Sequence, residues 1–329
     1  MRKCPSPIRL LTGLLAAALG ALLLILGVPE RSPDLRSRPR PAVSYGEAAR
    51  RVAALQAAEG PSIAPAGRTL LLEHGRRTPR AVLLFHGFAN CPSQFRALAQ
   101  RLHAAGANVY VPRLPHHGLA DRMTDDLRHL TAEEMVRFSD AQVDIARGLG
   151  DTVLVAGLSL GGLQAAWAAQ VRPDVDRAVL ISPLFGLALV PQPLLGPLRR
   201  FWLRTPNQFL WWDPRAREAL PGPRHVYPRY STRALAEALR EAAAVARSFR
   251  LRPPAARSVL VVTVAGDLAV DNAATARAVR EWQGRGGGRV EAYEFPRQLR
   301  LGHDIIDPEQ PYQRVELVYP VLEKLILGR

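Results

Sequence analysis

Residues 152–162 read TVLVAGLSLGG, an apolar run that enters Gly157-Leu158-Ser159-Leu160-Gly161 and continues as the helical pattern GLQAAWAAQ. A serine on a very tight strand-to-helix turn is lifted clear of the sheet, and the residues two before and two after it must lack a Cβ to avoid collision. Gly157 and Gly161 meet that demand. The partial positive charge at the N-terminus of the following helix then faces negative charge developing beside the hydroxyl. Five matching residues say little alone; the strand before and the helix after make this a nucleophile elbow.

A serine hydroxyl is a weak nucleophile at neutral pH and needs an imidazole within hydrogen-bond reach, itself held in one tautomer by a carboxylate. After such an elbow the partners come in the order acid, then histidine. Of the eight histidines only His225 and His303 follow Ser159, and only His303, in LGHD, lies beyond the last strand pattern. His303 is therefore the candidate base. For the acid, Asp267 ends the strand pattern SVLVVTVAGD and Asp271 stands four residues on. Asp267 is nearer the strand end and is favoured; Asp271 could instead cap a helix beginning near Ala273.

Transient oxyanion charge also needs a second N–H, from the loop after an earlier strand. The run AVLLF leads into His86-Gly87-Phe88, so the expected donors are the N–H groups of Leu160 and Phe88. Gly87 lets the backbone approach a substrate, and His86 is expected to fix this loop by hydrogen bonding rather than to move protons.

These residues need a frame. From residue 69 onward short β-branched runs, at 69–73, 81–85, 108–112, 152–156, 177–181, 258–264 and 289–295, alternate with helical patterns at 95–105, from 131, and at 161–170, 273–282 and 312–327. Thr131-Ala132-Glu133-Glu134 reads as a capping box. Strand, helix, strand in this order predicts an α/β fold with a mostly parallel sheet covered on both faces. Residues 187–250 break the rhythm with prolines and large rings, among them Phe201, Trp202, Phe209, Trp211, Trp212, Tyr227 and Tyr230. That stretch is expected to be an insertion over the sheet, acting as a cap or lid or simply pinning an irregular loop.

Residues 10–28 form an uncharged apolar run, preceded by Arg2, Lys3 and Arg9 in a basic segment at 1–9. The length suits a bilayer-spanning helix, and Val28-Pro29-Glu30-Arg31 offers no small-x-small cleavage site, so an uncleaved signal anchor is expected. Arg31, Arg36, Arg38 and Arg40 balance the basic residues on the other side, but the short charged amino end favours a domain outside the cytoplasm; cleavage of the segment would instead give a secreted protein. Residues 29–43 read as a Pro/Arg-rich linker, and the folded domain is expected over 44–329. The net charge of +15 is scattered rather than gathered into basic runs interleaved with aromatics, which argues against a nucleic-acid partner. The two cysteines, Cys4 and Cys91, belong to no metal or redox motif, and no metal is expected. Nothing here indicates an oligomeric state.

FHGF, GLSLGG, the late GD and the last-loop GHD together resemble the α/β-hydrolase superfamily, and within it bacterial carboxylesterases and monoacylglycerol lipases, over about residues 69–329. The resemblance implies a catalytic Ser159, Asp267 and His303, oxyanion donors Phe88 and Leu160, no cofactor, and a cap in the insertion. His116, in LPHHG, departs from the pattern, because many relatives have glycine before the His-Gly pair. The expected activity is hydrolysis of short or medium acyl esters or monoacylglycerol-like lipids through an acyl-enzyme. The alternatives are lysophospholipid, thioester or peptide cleavage on the same residues, or a non-catalytic membrane-anchored binding protein.

Overall fold

The computed structural model describes residues 27–214, 222–285 and 289–328, together with Leu11 and Gly20. The strands are β1 (Leu70–Leu72), β2 (Thr78–Phe85), β3 (Asn108–Val111), β4 (Gly150–Leu158), β5 (Arg177–Ile181), β6 (Phe209–Trp211), β7 (Arg229–Ser231), β8 (Ser258–Val264) and β9 (Arg289–Phe295). The α-helices are α1 (Tyr45–Ala58), α2 (Arg96–Ala104), α3 (Ala132–Leu149), α4 (Leu160–Val171), α5 (Gln192–Arg204), α6 (Thr232–Phe249), α7 (Asn272–Gln283) and α8 (Val315–Leu327).

A 7-stranded sheet runs in the order β1-β3-β2-β4-β5-β8-β9. Only β1 is antiparallel, pairing Leu71 with Tyr110. All the other pairs are parallel. Strands buried on both faces need no alternation of polar and apolar residues, which is why residues 81–85 of β2 and 153–158 of β4 read as unbroken apolar runs. One core layer joins α1, α3, α4, α6 and α7 to the sheet, with Leu149, Val155, Leu163, Leu239 and Trp282 buried. The other holds α2 and α8 through Leu98, Leu102, Val318 and Leu322. Each strand pattern read from the sequence is a strand here, and the hydroxyl of Thr131 accepts the Glu134 N–H at the start of α3.

The insertion read over 187–250 is narrower than its composition suggests. Residues 232–249 are α6, whose Leu235, Leu239, Ala242, Val245 and Phe249 lie buried against the body at helical spacing. What stands outside the sheet and its covering helices is α5 with the antiparallel pair β6–β7.

The stretch at 29–43 is extended but is not a free linker. Its polar groups meet acceptors on α3: the Arg38 N–H donates to Asp140 at 2.7 Å and the Arg40 N–H to Asp144 at 2.8 Å. The Trp167 indole donates to the Leu35 carbonyl at 3.0 Å. Beneath the strap, the buried Arg172 bridges Asp140, Asp144 and Asp174 at 2.6–2.8 Å. Composition foretold the extended backbone; it did not reveal that a docking site awaited it. The anchor expected at residues 10–28 lies outside the described residues, apart from Leu11, Gly20, Gly27 and Val28. Among the described residues no helix is long and apolar enough to cross a membrane.

Behind α4 lies a wholly buried polar chain, in which Ser139 donates to Gln164 at 2.6 Å and Gln164 donates to Glu241 at 2.9 Å. Burial pushes the Glu241 carboxyl up to about 8, because the Gln164 bond does not repay the loss of water. Between about 4.5 and 8 the folded state therefore holds a proton that the unfolded chain has released. By linkage this group erodes stability as pH rises through that window, at about 1.4 kcal/mol per pH unit, and adds no further slope above it. Thermal melts of Glu241→Gln should accordingly gain on wild type as pH rises from 5 to 8. An identical pH dependence for the two proteins would exclude a neutral Glu241.

Candidate active site

Ser159 sits between the end of β4 and the first residue of α4 with φ 59° and ψ −113°, a left-handed backbone that a residue with a Cβ adopts only under constraint. The constraint is visible at both glycines. A Cβ on Gly157 would lie 2.2 Å from the Gly161 carbonyl oxygen, so one half of the turn leaves no room for the other. A Cβ on Gly161 would lie 1.9 Å from the Phe85 oxygen and 2.7 Å from the His86 oxygen. The second glycine is thus demanded by the neighbouring strand end, a cause different from the close turn read in the sequence. Leu158 and Leu160 are buried while Ser159 between them stays partly exposed.

The Ser159 N–H donates to the Ile181 carbonyl at 2.9 Å and its carbonyl accepts the Leu184 N–H at 3.1 Å, fastening the turn to the end of β5. Leu160 opens α4, so its N–H has no intrahelical acceptor. Neither this N–H nor that of Phe88 donates to another group among the described residues. The Gly87 N–H, by contrast, is taken by Gln94 Oε1 at 2.7 Å. The N–H groups of Leu160 and Phe88, on the loops flanking Ser159, are therefore unspent.

His303 and Asp267 meet. His303 Nδ1 and Asp267 Oδ2 are 2.7 Å apart, with the carboxylate side chain fully buried and the imidazole 24% exposed. Burial works to raise the Asp267 carboxyl, but the His303 bond, aided by the N–H groups of Ala269 and Val270, holds it below its ordinary value. Those N–H groups occupy the other oxygen at 2.8 and 3.2 Å, so the carboxylate cannot turn away from the ring. Asp271 does not reach His303. It caps α7 by accepting the Ala273 N–H at 2.8 Å, and its second oxygen accepts from Gln192 at 2.8 Å. His225 is tied to Asp307 at 2.8 Å, which raises its proton affinity against the opposing effect of burial. Among the described residues no hydrogen bond joins Ser159 to His303, and such bonds commonly tighten only when substrate arrives.

His86 is structural in geometry. Nδ1 faces the Gly87 carbonyl at 2.9 Å and Nε2 accepts the Leu114 N–H at 3.0 Å, which fixes the proton on Nδ1. Complete burial drives its proton affinity well below that of a free imidazole. His116 has φ 64°, the region glycine favours, and its ring lies between Asp126 at 2.9 Å and Glu134 at 3.1 Å. Two carboxylates thus hold the His116 ring despite its left-handed backbone.

The scaffold that joins the two loops was not legible in the sequence. Gln94 accepts from Gly87 and donates to Asp304 Oδ2 at 2.8 Å. Asp304 also accepts from Gln310 at 3.0 Å and from the N–H groups of Ile306 and Asp307 at 3.2 Å. The loop with the Phe88 N–H and the loop with His303 are therefore pinned through one buried glutamine. Above Phe88 stand Trp212 and Tyr230, edge-on at 6.4 and 6.5 Å, while the Tyr227 N–H donates to the Ala89 carbonyl at 2.8 Å. The Trp212 and Tyr230 rings thus pack on Phe88, and the Tyr227 backbone pins its loop. Among the described residues no group of three His, Cys, Asp or Glu side chains is placed to hold a metal ion.

A family described as "Alpha/beta hydrolase family" matches residues 82–316. The chain is 31% identical over 124 residues to a thermostable monoacylglycerol lipase of Bacillus sp. (strain H-257), covering 36% of this chain and 46% of that protein. It is 34% identical over 119 residues to a pyrethroid hydrolase of Sphingobium wenxiniae, covering 35% and 40% respectively. The alignments thus span less than half of either relative. The crystal structure of a monoacylglycerol lipase from Paleococcus ferrophilus superposes with a TM-score of 0.60 at 19% identity, over 79% of this chain and 98% of that one.

The contacts at Gly161 give a direct test of the turn. Gly161→Ala should lose at least ~3 kcal/mol in urea unfolding, since its Cβ meets backbone that cannot yield, whereas the same change at the unobstructed Gly60 should cost less than ~1 kcal/mol.

Proposed function

The chain belongs to the α/β hydrolase family, and from that premise we propose that it is a serine hydrolase cleaving carboxylic esters, of short or medium acyl chains or of monoacylglycerol type, through an acyl-enzyme. The observation that carries this reading is the strained, partly exposed Ser159 on its elbow, with two unspent N–H donors on the flanking loops and a carboxylate-oriented imidazole from the last loop.

Ser159 Oγ attacks the ester carbonyl while His303 Nε2 takes its proton. Asp267, on Nδ1, keeps the ring in the tautomer that leaves Nε2 free to accept, and stabilises the imidazolium that forms. The carbonyl oxygen becomes an oxyanion beside the N–H groups of Leu160 and Phe88, aided by the N-terminus of α4. His303 then protonates the departing alcohol, and a water activated by the same imidazole releases the acid. These steps use the chain's own residues and no cofactor. The preference for a lipid-like ester is supported by the aromatic cover of Trp212 and Tyr230 over Phe88 and by relatives described as a monoacylglycerol lipase and a pyrethroid hydrolase. Thioester, lysophospholipid and peptide cleavage use the same groups and are the competing readings. The apolar run at 10–28 is proposed as an uncleaved anchor that holds the domain on the outer side of a membrane.

Ser159→Ala and His303→Ala should each lower kcat/KM on nitrophenyl butyrate by at least ~10³-fold while melting close to wild type. Asp267→Asn should lose ~10²-fold or more, and Asp271→Asn only a few-fold through its helix cap. Equal losses at the two aspartates would reassign the acid. The substrate class is tested by comparing nitrophenyl esters, monoacylglycerols, acyl thioesters and aminoacyl anilides, with fluorophosphonate labelling of Ser159 alongside. Faster cleavage of thioesters or anilides would overturn the ester assignment, and folded protein that takes no label would make the chain a binder.

A further inference from the structure

Residues 223–227, which lead into β7, touch both loops that flank the site. The Tyr227 N–H donates to the carbonyl of Ala89, the residue after Phe88, at 2.8 Å, and His225 Nε2 meets Asp307 Oδ2 at 2.8 Å on the loop that carries His303. Arg122, after β3, grips the same stretch through the Val226 and Pro223 carbonyls at 2.8 and 3.2 Å. The insertion is stapled to the catalytic loops here, and one staple is a side chain that can change charge near neutral pH.

Geometry gives that charge. Nδ1 of His225, its second ring nitrogen, faces Glu309 at 3.5 Å. A carboxylate only accepts, so an imidazole with a carboxylate at each nitrogen is matched when both nitrogens carry protons. The side chains of His225 and Asp307 are 4% and 1% exposed, so water cannot stand in for either partner. His116 is paired in the same way, but its carboxylates are open to solvent. Burial and the neighbouring Asp307 both push the Asp304 carboxyl up, against its bonds from Gln94 and Gln310. Among the described residues no lysine or arginine pairs with Asp304 or Asp307, which leaves His225 as their counter-charge.

The other titratable groups around this cluster keep one state just above neutrality. A guanidinium stays charged, which covers Arg122 and the adjacent Arg224. Burial holds His86 neutral, raises the Cys91 thiol to about 12 and lifts the phenols of Tyr227 and Tyr319 above their usual value. We infer that His225 is a positioning residue for the reaction: as an imidazolium between Asp307 and Glu309 it holds the loop of His303 against the insertion, and loss of its proton frees that loop. Burial works against the charged ring, but Asp307 and then Glu309 raise its proton affinity above the ordinary 6.5. The clamp is therefore fully set below 6.5 and is lost as pH rises through the raised value of the folded state. Turnover needs a neutral His303, so kcat/KM should climb as His303 gives up its proton and fall again as His225 does. That pH profile rests on the ester-hydrolase reading; the clamp itself does not.

For the full chain acting on nitrophenyl butyrate between about pH 5.5 and 9.5, kcat/KM should show the alkaline fall and end near about a tenth of its maximum. His225→Gln, which keeps a donor but never a charge, should show no alkaline fall and stay close to that lower level throughout. Glu309→Gln removes a partner that is 57% exposed, so the protein keeps its packing and the fall should begin about half a pH unit lower. A fall that stays where it is in either variant, or its absence from wild type, overturns the role in turnover. Hydrogen exchange reads the clamp without turnover, at the Ile306 and Asp307 N–H groups that donate to Asp304. Corrected for the intrinsic rate, their protection should drop several-fold between about pH 6.5 and 9 in wild type and stay level in His225→Gln. Level protection in wild type overturns the clamp. A drop in a folded chain that cleaves no ester would uphold the clamp and reject the ester reading instead.

Discussion

The left-handed backbone at Ser159 is the constraint from which the rest of the site follows. It is held from three directions: by the Gly161 carbonyl where a Gly157 Cβ would be, by the end of β2 where a Gly161 Cβ would be, and by hydrogen bonds to the end of β5. Strain of this kind persists only where its surroundings over-determine it. Here the surroundings are three neighbouring parallel strands that end at one level, so the sheet itself fixes the position of the hydroxyl.

The same ends carry most of the other candidate site residues. β2 runs into the Phe88 loop, β4 into the elbow, and β8 into Asp267, whose fully buried carboxylate reaches up to His303. Parallel strands make this possible, because all their carboxyl ends lie on one side, where the connecting loops crowd together. The loops are then tied to each other by buried polar groups, with Gln94 and Asp304 between the Phe88 and His303 loops and His86 between the β2 and β3 loops. Gln94 and His86 are buried with both polar ends of each side chain bonded, so the frame gains order rather than simply stability.

Outside this frame the molecule is asymmetric. The strap at 29–43 runs over α3 and α4, and α5 grips the chain at Val28 and Glu30. Arg172 illustrates the cost of building such a contact: a guanidinium withdrawn from water is accommodated by surrounding it with Asp140, Asp144 and Asp174. The two nearest of these also bind the strap, so a buried charge cluster sets where the N-terminal segment lies.

Patterns local in the chain were legible without coordinates. The strand runs, the elbow with its two glycines, the Thr131 cap and the place of His303 after the last strand all follow from steric and periodic rules acting over a few residues. Where alternatives lay close together, as with Asp267 and Asp271, only the tertiary structure could choose, because the choice depends on which carboxylate meets a ring 36 residues further along. The same holds for Gln94 and Asp304, separated by 210 residues and ordinary in type. It holds too for α6, concealed among prolines and rings and revealed as core only by what packs on it, and for a strap whose docking partners are carboxylates far along the chain. Sequence determines what each segment prefers; long-range contact decides which of those preferences meet, since that depends on a closure free energy no local pattern contains.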